Sequence, residues 1–261
     1  MSSFSVMTYN ILNDWMKDEY AWTNRREPLI ATIKQANPDM FGLQEVLHHQ
    51  LEDICSAMPE YDYIGVGRDD GKQGGEYACI FYRKERFEVI STGNFWLSET
   101  PDTPSYGWDA EYIRICTYGV FADKQTDKTF TYYNTHLEYS GRTAVLNGIK
   151  MIRERMLNDN SPSFVSGDMN FCENCEPYDE ITKPGISDSR HAAKQRITDG
   201  GSMNCLGGIS KEDILGATPG DLIFIEDSGF EVLDFQVIFN GMEQGKYVSD
   251  HFPVMITVEL K

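Results

Sequence analysis

Positive charge is what this chain has least of: 23 Lys+Arg stand against 41 Asp+Glu, a formal charge of −18, and no run of Lys or Arg interrupts the deficit. Proteins that hold nucleic acid by electrostatic grip carry the opposite balance, so a large non-specific polyanion footprint is disfavoured. A phosphate-bearing partner stays possible only if a cation is brought to the site. Long apolar runs are missing too. No window approaches the roughly 18 residues of a membrane span, and the N-terminal MSSFSVMTYNIL has no basic region leading into an apolar core. The chain is therefore expected to be a soluble, cytoplasmic monomer, or secreted or periplasmic where a leader has been removed. Cysteine is sparse and forms no framework. Cys55, Cys79 and Cys116 sit inside apolar patterns, and Cys172 and Cys175 make a single CENC with no second pair at zinc spacing.

What is present is a folding composition. Hydrophobic residues make up 41% and aromatics 12%, which excludes a disordered, collagenous or coiled-coil chain. The 261 residues allow one large domain or two small ones. Runs rich in β-branched and aromatic residues predict strands at FSVMTYNI, DMFGLQEV, YDYIGVG, YACIFYR, FEVISTGNFWL, YIRICTYGVFA, TFTYYNTHLE, SFVSGDMN, GDLIFIE, FEVLDFQVIF and FPVMITVEL. Helices are predicted over Arg26–Ala36, Leu47–Met58 and Thr143–Asp159, each stopping near a proline. With no linker or charge block dividing it, the order predicts one domain over 1–261, an α/β fold of two sheets packed face to face with helices outside. Phe171–Pro219, rich in Gly, Asn, Ser and Asp, reads as a long surface loop with short helical pieces.

Polar residues recur where apolar strands end. Asn10 ends FSVMTYN, Glu45 ends MFGLQE, His136 ends FTYYNTH, Asp168 and Asn170 end FVSGDMN, Asp221 opens DLIFI, and Asp250 and His251 precede FPVMITV. Singly, an Asn or Asp at a strand end is a common turn-former, and a lone Glu is ordinary surface. Together their chemistry is complementary. Glu45, Asp250 and Asn10 offer the oxygen ligands that Mg²⁺ takes alongside water and substrate phosphate. His251 with Asp221, and His136 with Glu76, suit imidazoles held in one state by a carboxylate. Asp168 beside Asn170 places a base next to a neutral donor. A base, a metal, an imidazole acid and amide donors are the parts for attack of water on phosphorus.

These residues lie in TYNI, LQEV, EYACIFYR, NTHLE, SGDMN, DLIFI and SDHFPV, and in that order and spacing the chain resembles the endonuclease/exonuclease/phosphatase superfamily, the deoxyribonuclease I-like metal-dependent phosphoesterases. The resemblance implies a four-layer α/β/β/α sandwich of two mixed sheets and a hydrolase using Mg²⁺ or Mn²⁺. It gives Glu45 as principal metal ligand with Asn10 and Asp250 near the ion, and Asp168 as the residue that orients or deprotonates water. It gives Asn170 as a donor to a phosphoryl oxygen, His251 with Asp221 at the scissile phosphate, and His136 as the second histidine with Glu76 as its carboxylate partner. Arg114 is added as a bidentate phosphate ligand. Its alternative is a surface cation on a sheet edge.

The chain departs from relatives that carry R-I-D-Y-I-F, reading Thr218-Pro219-Gly220-Asp221-Leu222-Ile223-Phe224 instead, and it lacks the W-C-D-R segment of inositol polyphosphate phosphatases. FWLSETPDTPSYGWDA resembles a bacterial and fungal branch related to the carbon-catabolite-repressor-type deadenylases. The expected activity is phosphodiester or nuclease-type hydrolysis, with a phosphomonoester, lipid or sugar phosphoester as the alternative and a non-catalytic binding protein behind both. Trp96 and Trp108 offer either base-stacking platforms at the cleft rim or packing for their loop. His48, His49 and His191 read as surface residues.

Overall fold

The computed structural model describes residues 2–261. The strands are β1 (Ser3–Asn10), β2 (Met40–Gln44), β3 (Tyr61–Ile64), β4 (Ile80–Arg83), β5 (Phe87–Trp96), β6 (Ile115–Asp123), β7 (Lys128–His136), β8 (Ser163–Asp168), β9 (Ile186–Asp188), β10 (Gln195–Thr198), β11 (Asp221–Glu226), β12 (Phe230–Val237) and β13 (Val254–Leu260). The helices are α1 (Trp22–Ala36), α2 (His48–Ala57), α3 (Arg142–Asn158), α4 (Glu176–Ile181), α5 (Ser189–Ala192) and α6 (Lys211–Gly216). The strands form a seven-stranded sheet, β10-β12-β13-β1-β2-β4-β3, and a six-stranded sheet, β5-β6-β7-β8-β11-β9.

Three apolar clusters account for the layering. Phe4, Val6 and Ile256 of the first sheet meet Phe121, Phe130 and Phe164 of the second in the central core. On the outer face of the first sheet, Tyr9, Phe41 and Phe81 pack against Leu29 and Ile33 of α1 and Leu51 and Ile54 of α2. On the outer face of the second, Cys116, Tyr133 and Val165 meet Val145, Ile149 and Ile152 of α3 and Ile181 of α4. Period-two alternation in the strands feeds both faces of each sheet, and the result is the predicted α/β/β/α sandwich.

Each helix ends where chain chemistry stops it. Asn37 adopts the left-handed conformation (φ 53°), and its N–H reaches Ile33 O just before Pro38. The start of α1 moves upstream of the expected Arg26 to Trp22, because the Asp14 carboxylate accepts from Trp22 N–H at 2.8 Å. Phe171–Pro219 is corrected from a loop: it contributes β9 and β10, one at an edge of each sheet. Both are too short to show a periodic pattern, and all four residues of β10 are exposed.

A polar joint crosses between the sheets beneath one end of the sandwich. Asn134 of β7 donates to Leu43 O and Cys79 O, each at 2.9 Å, and accepts from Gln44 Nε2 at 2.7 Å and Ser166 Oγ at 3.1 Å. All four hydrogen bonds of the buried amide are met, so the two sheets are fixed in one relative register there. Gly42 makes room for it: a Cβ at that position would lie 2.4 Å from Asn134 Oδ1. No helix among the described residues is long and apolar enough to cross a membrane.

Candidate active site

Strand direction assembles the site. β1 and β2 are parallel, as are β7 and β8, so each pair delivers its C-terminal residues to one edge. β11 runs antiparallel to β8 and pairs Asp221 with Asp168, and β13 runs antiparallel to β1, which brings His251 to the end of that strand. The result is a cavity of about 430 Å³ whose wall includes Glu45, His136, Asp168, Asn170 and His251. Two of these residues hold backbone that side chains seldom adopt: Glu45 has φ 61° and Asn170 φ 50°. Non-glycine residues in this region cost about 1–3 kcal/mol and cluster where a side chain must be aimed.

Asp168 is the hub. Its Oδ2 accepts from Asn10 Nδ2 at 2.9 Å and lies 3.5 Å from His136 Nε2 and 3.7 Å from His251 Nε2. Its Oδ1 accepts from Asn170 N–H at 3.1 Å. Burial raises its pKa above the ordinary carboxylate value, with the nearby His251 opposing. Asn10 also donates to Glu45 Oε1 at 3.0 Å, linking the two carboxylates.

The pKa values of the two histidines are pushed in opposite directions. Burial favours a neutral ring at His251, but the Asp221 carboxylate at 2.7 Å from Nδ1 and Asp168 outweigh it, and the pKa rises well above the ordinary value. Both carboxylates thus favour the charged ring at His251, whose Nε2 lies 3.7 Å from Asp168 Oδ2. At His136 burial is joined by the charges of Arg114 and Arg68, and the pKa falls well below the ordinary value.

Residues 7–251 match the endonuclease/exonuclease/phosphatase family. The chain belongs to this family. It is 35% identical to a mannosyl-6-phosphatase of Bacteroides thetaiotaomicron VPI-5482, with a TM-score of 0.88 and 99% of each chain covered. A family protein from Bacteroides vulgatus is 33% identical, with a TM-score of 0.92 over 100% of both chains. Protein L388 of Acanthamoeba polyphaga mimivirus is 28% identical over 254 residues, 92% of this chain and 93% of the other. Members of the endonuclease/exonuclease/phosphatase family are hydrolases acting on phosphoester bonds.

Of the family's expected metal ligands, Glu45 presents its carboxylate to the cavity. Burial and the like charge of Glu76 push its pKa up to about 7. A buried carboxylate facing a second carboxylate is deficient in positive charge, and its hard oxygens fit a divalent ion such as Mg²⁺. Asn10 turns its NH₂ to the carboxylates, and its Oδ1 accepts from Leu12 N–H at 3.0 Å. Asp250 lies near Glu45 but not on the cavity wall; its carboxylate accepts from the Ser249 hydroxyl at 3.3 Å. Asp168, Asp221 and His251 bring three ligand-type atoms within 4.8 Å of one another.

Other expectations change. Glu76 is not the partner of His136: its Oε2 pairs with Arg68 Nη1 at 2.5 Å and its Oε1 accepts from Asn13 Nδ2 at 2.8 Å. The carboxylate nearest His136 is Asp168, because register pairs His136 with Asp168 directly across β7 and β8. Asn170 spends one amide hydrogen on Leu137 O at 2.9 Å, leaving the other for the cavity. Arg114 is no surface cation: 5% exposed, it enters β6, which lies inside its sheet. Trp96 is buried and donates Nε1–H to Arg68 O at 2.6 Å, so packing its loop is its role. Cys172 and Cys175 are free thiols, with Cys175 Sγ on Cys172 O.

Sequence reasoning missed Arg68, Asn13, Trp15, Tyr112 and Tyr139, all on the cavity wall. Arg68 sits in a hydrophilic loop among Asp69, Asp70 and Lys72, where no periodicity singles it out. Asn13 had one usable signal: it follows TYNIL by a single residue, and its N–H donates to Glu45 Oε2 at 3.1 Å.

Proposed function

We propose that this protein is a divalent-metal-dependent phosphoester hydrolase that delivers water to phosphorus from Asp168. The observation that carries the reading is the convergence on one cavity of a hydrogen-bonded buried carboxylate, two histidines within 3.7 Å of it and a carboxylate suited to a metal. Glu45 is the residue that would hold the ion, with Asp250 and Asn10 beside it. Mg²⁺ or Mn²⁺ supplies Lewis-acid polarisation of the phosphoryl oxygen when bound.

The chain's own residues divide the remaining work. Asn10 Nδ2 and Asn170 N–H hold Asp168 in one orientation, and Asp168 accepts the proton of the attacking water. His251, charged by Asp221, faces the developing negative charge with Nε2–H. His136, the spare Asn170 N–H and Arg114 add neutral and cationic donors on the same wall. The substrate class is a compact phosphoester. The acidic body disfavours a long nucleic-acid footprint, and the 35% identity to a mannosyl-6-phosphatase supports the phosphomonoester alternative over the nuclease-type one. Trp15, Tyr112 and Tyr139 at the cavity mouth, 65%, 45% and 56% exposed, are surfaces on which a sugar ring would stack.

The test is a turnover panel with Mg²⁺ and Mn²⁺ over hexose 6-phosphates, mononucleotides, single-stranded RNA and DNA, and phosphoinositides, each repeated in EDTA. Metal-dependent phosphate release from the compact monoesters is expected. Turnover that survives EDTA contradicts the metal assignment, and preferential cleavage of the nucleic acids contradicts the substrate class.

A further inference from the structure

We propose that Arg68 and Arg114 form a two-guanidinium clamp that admits a terminal phosphomonoester and rejects a phosphodiester, an assignment that rests on the phosphoester-hydrolase reading above. The two side chains come from different sheets. Arg68 follows β3 and Arg114 immediately precedes β6, and they converge over one ring, 5.6 and 5.4 Å from the centroid of Tyr112. Their side chains are 13% and 6% exposed, and both line the cavity that holds Asp168 and His251.

Their donors are only partly spent inside the protein. Arg68 gives Nη1 to Glu76, while its buried Nε has Asp69 Oδ1 at 3.8 Å, beyond hydrogen-bonding distance. Arg114 has Glu138 Oε2 at 3.6 Å from Nε, beyond hydrogen-bonding distance, and both its Nε and Nη1 are buried without acceptors. An unmet buried donor costs about 1–3 kcal/mol, and two guanidiniums drawn together repel as well. A fold built only for stability has no reason to keep three such groups on one side of a cavity. An anion with several oxygens answers all of them, since guanidinium donors match the edge of a phosphoryl group.

The shape behind the clamp decides which phosphate. The recess between the arginines is lined by Tyr77, Ala78 and Ile115 together with Glu45, Glu76 and His136, and has a volume of about 10 Å³. That is room for about one water. A bare phosphoryl oxygen fits there, whereas an ester carbon on that oxygen does not. A monoester offers three unsubstituted oxygens and close to two negative charges at neutral pH; a diester offers two oxygens, one charge and a second substituent that needs an exit. Arg68 is thus a specificity-determining residue, held by Trp96 at its carbonyl and by Glu76 at its tip.

The test compares p-nitrophenyl phosphate with methyl p-nitrophenyl phosphate, which share a leaving group and differ by one methyl on a phosphoryl oxygen. With Mg²⁺, the wild-type kcat/KM ratio is expected to favour the monoester by on the order of 100-fold, and Arg68→Gln to collapse that ratio about 30-fold, with Arg68→Lys intermediate because it keeps charge but loses the fork. Calorimetry with inorganic phosphate and dimethyl phosphate runs in parallel on the same variants, whose folding is checked by thermal unfolding. Wild-type protein should bind phosphate and not dimethyl phosphate, and Arg68→Gln and Arg114→Gln should each weaken phosphate binding by about 30-fold. An unchanged ratio in Arg68→Gln, or equal binding of the two anions, overturns the clamp. Phosphate binding that depends on both arginines without any hydrolysis would leave the clamp standing and sink the hydrolase reading instead.

Discussion

Arg25 offers the sharpest physical prediction away from the chemistry. It is 2% exposed, yet it faces no carboxylate within hydrogen-bonding distance among the described residues. All five of its N–H donors go to backbone carbonyls: Nε to Tyr20 O, Nη1 to Ile11 O and Val248 O, and Nη2 to Leu12 O and Asn13 O, at 2.6–3.0 Å. One side chain of α1 therefore pins the turn after β1, which sends Asn13 to Glu45 and Glu76, to the segment that leads into Asp250 and His251. Arg25→Met keeps the aliphatic stem and strands four of these carbonyls, since Leu12 O still accepts from Gln50 Nε2 at 3.2 Å. A buried acceptor left without its donor costs about 1 kcal/mol or more, and with water refilling part of the space a total near 4 kcal/mol is expected. At about 2–4 °C per kcal/mol for a chain of this size, Tm should fall by roughly 8–16 °C. Arg25→Lys, with three donors and no fork, should lose roughly half as much. Scanning calorimetry beside urea unfolding reads both. A loss under about 3 °C in Arg25→Met would refute the pinning role, because it would mean the carbonyls find water at no cost.

Three further outcomes follow from the same geometry. In Gly167→Ala the new Cβ would lie 2.0 Å from Thr135 O, with φ at 159°, so β8 must shift from β7 beside Asp168; a loss of about 3–4 kcal/mol in urea unfolding is expected, and wild-type stability would contradict the register. Asp221→Asn removes the carboxylate 2.7 Å from His251 Nδ1, and kcat should drop by about 10²–10⁴ with KM little moved, whereas a drop confined to KM would mean that the pair serves binding alone. Chelation with EDTA should abolish phosphate release and added Mg²⁺ restore it, followed by continuous phosphate assay; activity indifferent to both would remove Glu45 from its assigned role.

The sandwich was legible because each strand run carries its own hydrophobic pattern, and the site because a polar residue closing an apolar strand is hard to justify by packing. Asn10, His136 and Asp168 share that signal, and Asp221 carries its counterpart at the start of a strand. The residues that escaped are those whose meaning is made by tertiary contact. Arg25 sits in TNRREP, where two adjacent arginines on a helix read as solvated, and only the carbonyls of Ile11–Asn13 and Val248 explain its burial. Arg68 and Arg114 lie far apart in the chain and on different sheets, so nothing local hints that they meet over Tyr112. The pairing of Glu76 with Arg68 rather than His136 has the same origin: two residues in one loop, eight positions apart, are closer than sequence order alone conveys. β9 and β10 were hidden by brevity, since three or four residues at a sheet edge have too few inward positions to show alternation.

The central claim, that Asp168 activates water on a metal-held phosphoester, is tested most directly by the single-turnover rate of Asp168→Asn against wild type in Mg²⁺, with thermal unfolding as the control for fold. The near-isosteric change keeps an oxygen for Asn170 N–H and removes the base, so the rate should fall by about 10³ or more while Tm stays within about 5 °C. A folded Asp168→Asn protein that turns over at near the wild-type rate would contradict the account.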